Sequence, residues 1–443
     1  MEIYKSTSIH IANALTAMWE QDGCHPVSDG NSVYLYRDGL FNEIKNLHGY
    51  IMKTCEDLDI GDKKLGLSWG KVTEVGKAVM AHIDLFQPDF FQSAPTGLTV
   101  GDGFWKAGQE KLTWEDPSPD HRQQKSYGET VDWEEPENLI RFLAELFGDD
   151  EDFEDKVSVI QELLGAALCG LDLQRGVLLY GSGANGKSSL QKIMTEIVGE
   201  DATSHVSPAH LGKSNSEYYI SQLRGASLNI AGELDATAFN NSTSAIKELI
   251  GRDRLIARSP YGQPFYFTPK AIHLFSTNNL PEQLTDHSRG FSRRLVIIEF
   301  NQSFMGKQKS FEQIMGPIEE ERSRVLGWAM RGAARVLANK DISVVPRSSG
   351  EKFKLWRMSC PVEDFFSSVC EPGGETSATE AMKLFDQFLQ ERGRDGEQWG
   401  PKSFSPKFTS ILSNHTNRPR YKSRRGWYYN VTIQPKILWD TVN

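Results

Sequence analysis

The sequence predicts an α/β protein with a P-loop core, a mixed α/β domain before it and a winged-helix-like domain after it. Short apolar runs alternate with helical patterns through the middle of the chain, as buried parallel strands between helices do. One such run, Gly176-Val177-Leu178-Leu179-Tyr180, leads straight into Gly181-Ser182-Gly183-Ala184-Asn185-Gly186-Lys187-Ser188. That spacing of glycines before a Lys-Ser pair is the phosphate-loop pattern. The last part of the chain reads as helices followed by a two-strand hairpin turning at Ser423 to Gly426.

Residues 1–106 read as a small mixed domain for oligomerisation or docking. Within it, Ser32 to Tyr36 is a strand running into the Arg37-Asp38-Gly39 turn, and Val72 to Leu85 has helical spacing. Residues 107–136 are polar and proline-bearing and read as a linker. Residues 137–170 form a helical lead-in, through Leu139 to Phe147 and Val157 to Leu171. The core spans 171–340. Its further strands are Ser227 to Ala231, Ala271 to Phe275 and Leu295 to Phe300, and a helix over Arg324 to Ala338 closes it. Residues 341–360 read as a second linker and 361–443 as the winged-helix-like part. That part carries helices near Val362–Val369 and Ala378–Gln390 and a shorter one from about Pro406.

Composition excludes several classes. The chain has 443 residues and a net charge of -10. No apolar stretch approaches the roughly 20 residues that span a bilayer, and Met1-Glu2-Ile3-Tyr4-Lys5 opens no secretory signal. No membrane partner and a cytoplasmic location are expected. The five cysteines form no Cys-x-x-Cys pair, so reduced, buried thiols are expected rather than a zinc ribbon. The acids cluster in Glu129–Glu137 and Asp149–Asp155, leaving other regions less acidic.

The chemistry of the loop follows from its residues. Glycines let successive N–H groups turn inward toward phosphate oxygens. Lys187 would bridge the β- and γ-phosphates of ATP, Ser188 would hold Mg²⁺, and Ser189 follows on the helix whose positive end faces the phosphates. A second strand ends in Gly232-Glu233. Glu233 would polarise the attacking water, and it or Asp235 would orient Mg²⁺ through its waters. A third strand ends in Ser276-Thr277-Asn278-Asn279, where a polar amide can touch the γ-phosphate. Arg293-Arg294 then precede the last strand. An arginine aimed at a neighbour's nucleotide stabilises transition-state charge.

Together these blocks resemble superfamily 3 helicases, in particular the phage, plasmid and poxvirus primase–helicase branch. The resemblance runs from Leu179 to Leu295 and includes Ile246-Lys247-Glu248-Leu249-Ile250-Gly251-Arg252-Asp253, Ala257-Arg258, Pro264-Phe265, Ser276 to Pro281, Asp286 and Phe291-Ser292-Arg293-Arg294-Leu295. It implies an ASCE/AAA+-like ATPase forming a homohexameric ring that pulls one strand of single-stranded or forked DNA through its centre during replication. A replication primase or polymerase is then a possible partner, in the host cytoplasm if the chain is viral. By the resemblance Glu233 is the catalytic acid, Asn278 the γ-phosphate sensor and Arg294 or Arg293 the finger acting in trans, Arg294 being favoured. Arg254 to Arg258 and Pro264 to Thr268 would be the strands of a pore hairpin, with Tyr261 at its tip. Tyr261, Arg258 and Lys247 would meet the DNA. The tip, Ser259 to Gln263, lacks the Lys or His usual in the family. The first 106 residues are too few for a priming domain, and Asp57-Leu58-Asp59 reads as a solvated face, so no primase activity is expected.

The end of the chain adds Arg418, Arg420, Lys422, Arg424 and Arg425, interleaved with or followed by Tyr421, Trp427, Tyr428 and Tyr429. Basic groups that track phosphates, beside aromatics that stack on bases, make this hairpin a candidate DNA contact. Arg420, Lys422, Arg424 and Arg425 are its candidate residues. An ATP-dependent DNA-binding loader or initiator that does not itself unwind is the alternative reading.

Overall fold

The computed structural model describes residues 8–57, 67–101, 103–128, 130–211, 216–258, 264–281, 289–306, 309–394, 399–413 and 415–434. At its centre lies an all-parallel sheet of five strands. In chain order these are β1 (Gly176–Tyr180), β2 (Thr203–Ser204), β3 (Leu228–Glu233), β4 (Ile272–Thr277) and β5 (Leu295–Glu299). Across the sheet the order is β5-β1-β4-β3-β2. β1 and β4 are covered on both faces and buried along almost their whole length, which is why β1 reads as an unbroken apolar run, while β4 buries His273, Ser276 and Thr277 as well.

Helix Lys187–Val198 follows β1 directly. Behind the sheet, helix Phe153–Cys169 lies against helix Arg322–Asn339. A Cβ on Gly165 would strike the Ala329 carbonyl, and one on Gly332 the Gln161 carbonyl, so glycine alone permits this approach. Lys156 fastens the same helix to the end of β5. It is fully buried, pairs with Asp150 at 2.8 Å and Asp152 at 3.2 Å, and donates to the Glu299 carbonyl at 2.9 Å.

Residues 8–91 form their own cluster. Helices Ser8–Gln21, Leu47–Asp57 and Trp69–Met80 pack over a small antiparallel sheet of Val27–Ser28, Val33–Arg37 and Leu40–Glu43. The expected turn is present, with Asp38 and Gly39 both at positive φ (52° and 81°), as a two-residue hairpin loop requires. Asp57 ends a helix, while Leu58 and Asp59 lie outside the described residues.

The structure revises both expected linkers. Strands Gly97–Val100, Gly103–Ala107 and Leu112–Glu115 make an antiparallel sheet across the boundary placed at residue 106. Leu98 and Val100 are buried in the same core as helix Phe153–Cys169, and Trp105 packs edge-on against Trp114 and Trp133. This polar-looking stretch is held by a few large side chains rather than by a long apolar pattern. The second linker contains helix Arg347–Ser359. Ser349 Oγ accepts from the Ile297 N–H of β5 at 2.9 Å. Phe353 and Trp356, one helical turn apart, are buried against Phe291 and Phe239. Trp356 also donates to the Pro281 carbonyl at 2.8 Å. Truncation of such a residue leaves a cavity and an orphan acceptor. Trp356→Ala is expected to cost about 3–5 kcal/mol, read as a lowered urea midpoint at unchanged slope.

The C-terminal part runs helix Pro361–Val369, strand Cys370–Ser377, helices Ala378–Glu391 and Pro401–Ser413, then strands Arg420–Ser423 and Gly426–Ile433. Its core is aromatic: Phe404 stacks on Phe385 and Phe408, while Phe365 meets Phe385, and Tyr429 meets Phe408, edge to face. The helix expected from Pro406 begins earlier, at Pro401, with Pro406 inside it. All five cysteines are free. Among the described residues no helix is long and apolar enough to cross a membrane.

Candidate functional site

The carboxyl ends of β1, β3 and β4 meet on one edge of the sheet. Thr277 pairs with Tyr180 and Ser276 with Glu233, so the loop after β1, the acid ending β3 and Asn278 after β4 are neighbours. Open α/β sheets bind ligands at this edge, beside the strand where the order switches. The register of β3 against β4 slips between Phe275 and Ser276, where Gly232 is the extra residue. A bulge of this kind re-aims the next side chain, and here that side chain is Glu233.

The loop itself is wound tightly. Gly183 and Gly186 have φ of 98° and 88°, and Ala184 has φ of 49°, a left-handed conformation that costs a non-glycine residue about 1–2 kcal/mol. The Ala184 carbonyl is held by the Phe304 N–H at 2.7 Å. A Cβ on Gly186 would collide with Leu146, and one on Gly181 with the Asn185 amide. Lys187 is 7% exposed. Its ammonium donates to Gly181 O at 2.6 Å, Asn185 Oδ1 at 3.1 Å and Asn278 Oδ1 at 3.0 Å. Burial lowers its pKa, and the nearby Glu233 carboxylate opposes that shift. Asn278 in turn donates from Nδ2 to Glu233 Oε1. One amide thus joins the cation and the carboxylate.

These groups line a cavity of about 610 Å³, together with Gly183 to Ser189. Ser188 is exposed in it. Gly181 and Ser182 are not in the lining; Gly181 stands behind, bonded to the Thr277 carbonyl. Asp235 is not in the lining either. Its Oδ1 accepts from the Ala238 N–H at 2.7 Å and caps helix Ala236–Asn241, so the structure gives it a local structural job. The cavity also has an apolar wall beside the loop, with Phe142, Leu146, Phe304, Phe311 and Ile314. Here Gln191 Nε2 is buried without a hydrogen-bond partner among the described residues, and Lys309 pairs with Glu145 at 2.8 Å. This slot was missed in the sequence because its residues come from two separate helices and the chain between them.

Arg293 and Arg294 lie elsewhere. The Arg294 carbonyl accepts from Gly176 N–H at 2.8 Å, at the amino ends of β1 and β5. β1 has five residues, and at about 3.3 Å per residue it sets the arginines roughly 16 Å from the loop. They line a separate cavity of about 620 Å³ with Arg175, Lys340 and Asp341. Arg293 is exposed, whereas Arg294 is half-buried and donates to its own chain at Gly290 O, 2.9 Å away.

The hairpin has strands Leu255–Arg258 and Pro264–Phe267. Tyr261 and the rest of 259–263 lie outside the described residues. One face packs inward through Leu255, Ala257 and Phe267. The other carries exposed Arg258, Ile256 and Tyr266, the last 57% exposed with the Arg254 guanidinium 5.0 Å over its ring. The Arg254–Tyr266 pair is visible in sequence only once the strand register is known. Lys247 is half-buried on helix Thr243–Gly251.

In the C-terminal hairpin, Lys422, Arg424 and Arg425 are exposed. Arg420 is half-buried and lies 4.4 Å over Trp427 and 5.8 Å over Tyr429, so its guanidinium is committed to packing. Tyr429 is fully buried and donates to Ser405 Oγ at 2.7 Å. Tyr421 and Tyr428 stack on each other across the strands, with Arg418 over Tyr421 at 4.7 Å. The Tyr421 hydroxyl donates to Glu375, which raises its pKa.

Residues 179–294 match a family of unknown function, DUF5906. A putative helicase of Acanthamoeba polyphaga mimivirus, L207/L206, is 29% identical over 160 residues, covering 33% of this chain and 16% of that protein. The chain therefore spans a small part of that relative. An apo structure of the NrS-1 C-terminal region (the A form) superimposes over 91% of this chain and 93% of its own, with a TM-score of 0.48 and 12% identity. A further structure of that region covers 97% of this chain and 100% of its own, with a TM-score of 0.45 and 11% identity. The loop, Glu233, Asn278 and the arginine pair all fall inside the family match.

Proposed function

We propose that the chain is a subunit of an ATP-driven DNA helicase of a virus, phage or plasmid, acting in replication as a homohexameric ring. The observation that carries this reading is the split of the charged groups. Lys187, Asn278 and Glu233 converge at one edge of the parallel sheet, and Arg293 and Arg294 stand at the other. A single chain then holds two half-sites, and head-to-tail packing of copies brings them together. The family match to residues 179–294 and the helicase name of the mimivirus relative support the same reading.

In this reading Lys187 leaves its three neutral oxygens for the β- and γ-phosphates. Glu233 accepts the proton of the attacking water as the new O–P bond forms and the bond to the leaving ADP breaks. Asn278 ties the two events. The apolar slot of Phe142, Leu146, Phe304 and Phe311 takes the base. Among the described residues no group of three or more His, Cys, Asp or Glu is arranged as a metal site. Exposed Ser188 and Glu233 share the cavity, a donor set suited to Mg²⁺, which keeps several waters and leans on substrate phosphates. Bound there, Mg²⁺ would neutralise charge on the phosphates. On the DNA side, Tyr266 with Arg254, and the exposed Arg258, offer a stacking face and a phosphate contact. Helix, strand, two helices and a hairpin in that order support a winged-helix reading of the C-terminal part, with Lys422, Arg424 and Arg425 on its wing.

A forked duplex tests the reading. Strand separation should require hydrolysable ATP and be absent in Lys187→Ala. Hydrolysis that single strands stimulate, without any separation, would move the chain to a loader. Absence of both DNA binding and stimulation would sink the assignment.

A further inference from the structure

A third cavity, of about 420 Å³, lies where the N-terminal unit meets the central one, at the base of the hairpin. Arg122, Lys125, Arg224 and Lys270 reach its lining, against one carboxylate among the described residues, Asp29. This concentration of cations stands on a chain of net charge -10.

The cations are only partly compensated. Asp29 already accepts the N–H groups of Asn31 and Ser32 through Oδ1, at 2.8 Å each. Its Oδ2 takes one contact from Arg224 Nη2 at 3.2 Å. The Arg224 guanidinium also lies 4.9 Å over Phe265 of the hairpin. Lys125 pairs with Asp201, and Arg122 donates to Ser93 Oγ at 2.7 Å. Lys270 donates to the Gln92 carbonyl at 2.9 Å and has no carboxylate partner among the described residues. Burial, then the charge of Arg252, lowers its pKa. Like charges gathered in a half-buried space repel, and an anion relieves that repulsion. Tyr34, Phe91 and Tyr127 supply aromatic wall. Cations beside aromatic rings suit a chain that alternates phosphates with flat bases. Phe267 and Thr268, at the root of the hairpin, belong to the same lining, so one element would serve both contacts.

Resting on the DNA-motor reading, we infer that this cavity is a second binding site for single-stranded DNA, gripping its phosphodiester backbone between the N-terminal unit and the hairpin root. The N-terminal unit is then part of the nucleic-acid path.

The test uses the full chain and a fluorescent oligothymidylate. For single strands, log affinity falls with log salt by about 0.7 per phosphate neutralised. Lys270→Gln should flatten that slope by about 0.7, Lys270→Arg should restore it, and hydrolysis without DNA should stay unchanged. Arg122→Gln, from a different segment, is read the same way if Lys270→Gln folds poorly. A wild-type chain that binds DNA, with slopes unchanged in both Gln variants, overturns the site alone. A wild-type chain that binds no DNA overturns the motor reading first. ATP binding that survives in Lys187→Ala and vanishes on adding Lys270→Gln would make the ligand a free nucleotide and overturn the strand assignment.

Discussion

Lys187→Ala should lose ATP hydrolysis by at least about two orders of magnitude, the cost of removing one preorganised donor from developing charge, while the chain stays folded. Among the described residues the ammonium is the only cation bonded to both the loop and Asn278. Without it Asn278 no longer spans a cation and the Glu233 carboxylate, so binding and water activation fail together. Stability should change little. The side chain is buried as a charge, which carries a desolvation cost that alanine removes. The acceptors it leaves open onto a cavity that water can fill. Phosphate release and nucleotide titration on the same sample separate the two effects. A variant that hydrolyses at a tenth of the wild-type rate or better would show that Lys187 is not the phosphate ligand.

Arg293→Ala should do comparable or greater damage, about three orders of magnitude or more if it supplies transition-state charge, although it lies across the sheet from the loop. The family resemblance favours Arg294, whereas the exposure of Arg293 and the bond made by Arg294 favour Arg293. Arg294 spends Nη1 on Gly290 O, while Arg293 is exposed on the rim. Mixing decides it. If the arginine acts in trans, each working interface needs one intact loop and one intact arginine, and equal amounts of Arg293→Ala and Lys187→Ala chains produce that pair at about one interface in four. Hydrolysis should reappear in the mixture although neither variant has it alone. If only the Arg294→Ala mixture recovers, the finger is Arg294. If neither does, the arginines act within their own chain.

Much of the central architecture was legible because parallel strands covered on both faces leave short, largely apolar runs. β1, β3, β4 and β5 and helix Lys187–Val198 fall within a residue or two of the expected positions. β2 was not legible, since its two residues carry no period. Helix Arg347–Ser359 hid because, among its described residues, the buried face is Ser349, Phe353 and Trp356, and Gly350 with charged neighbours reads as a loop. Asp235 shows the limit for single residues. A carboxylate after a strand looks the same in sequence whether it serves a ligand or caps the next helix, and only the bond to Ala238 N–H distinguishes them. Alternation likewise placed basics and aromatics on the last hairpin but not which ring faces inward. That depends on the third strand, Cys370–Ser377.

β5 is an outermost strand of the central sheet, and an outermost strand presents unpaired backbone groups that recruit other chains. Ser349 occupies one of those groups, the Ile297 N–H, and the helix that carries it lies along the strand. The segment that joins the central and C-terminal units is therefore also a guard against sticky edges. A shortened version of the central unit should be cut after Ser359, not at the polar stretch before Arg347. A cut at the earlier point would strip the cover from β5 and invite strand-to-strand aggregation, whatever the fate of the C-terminal part.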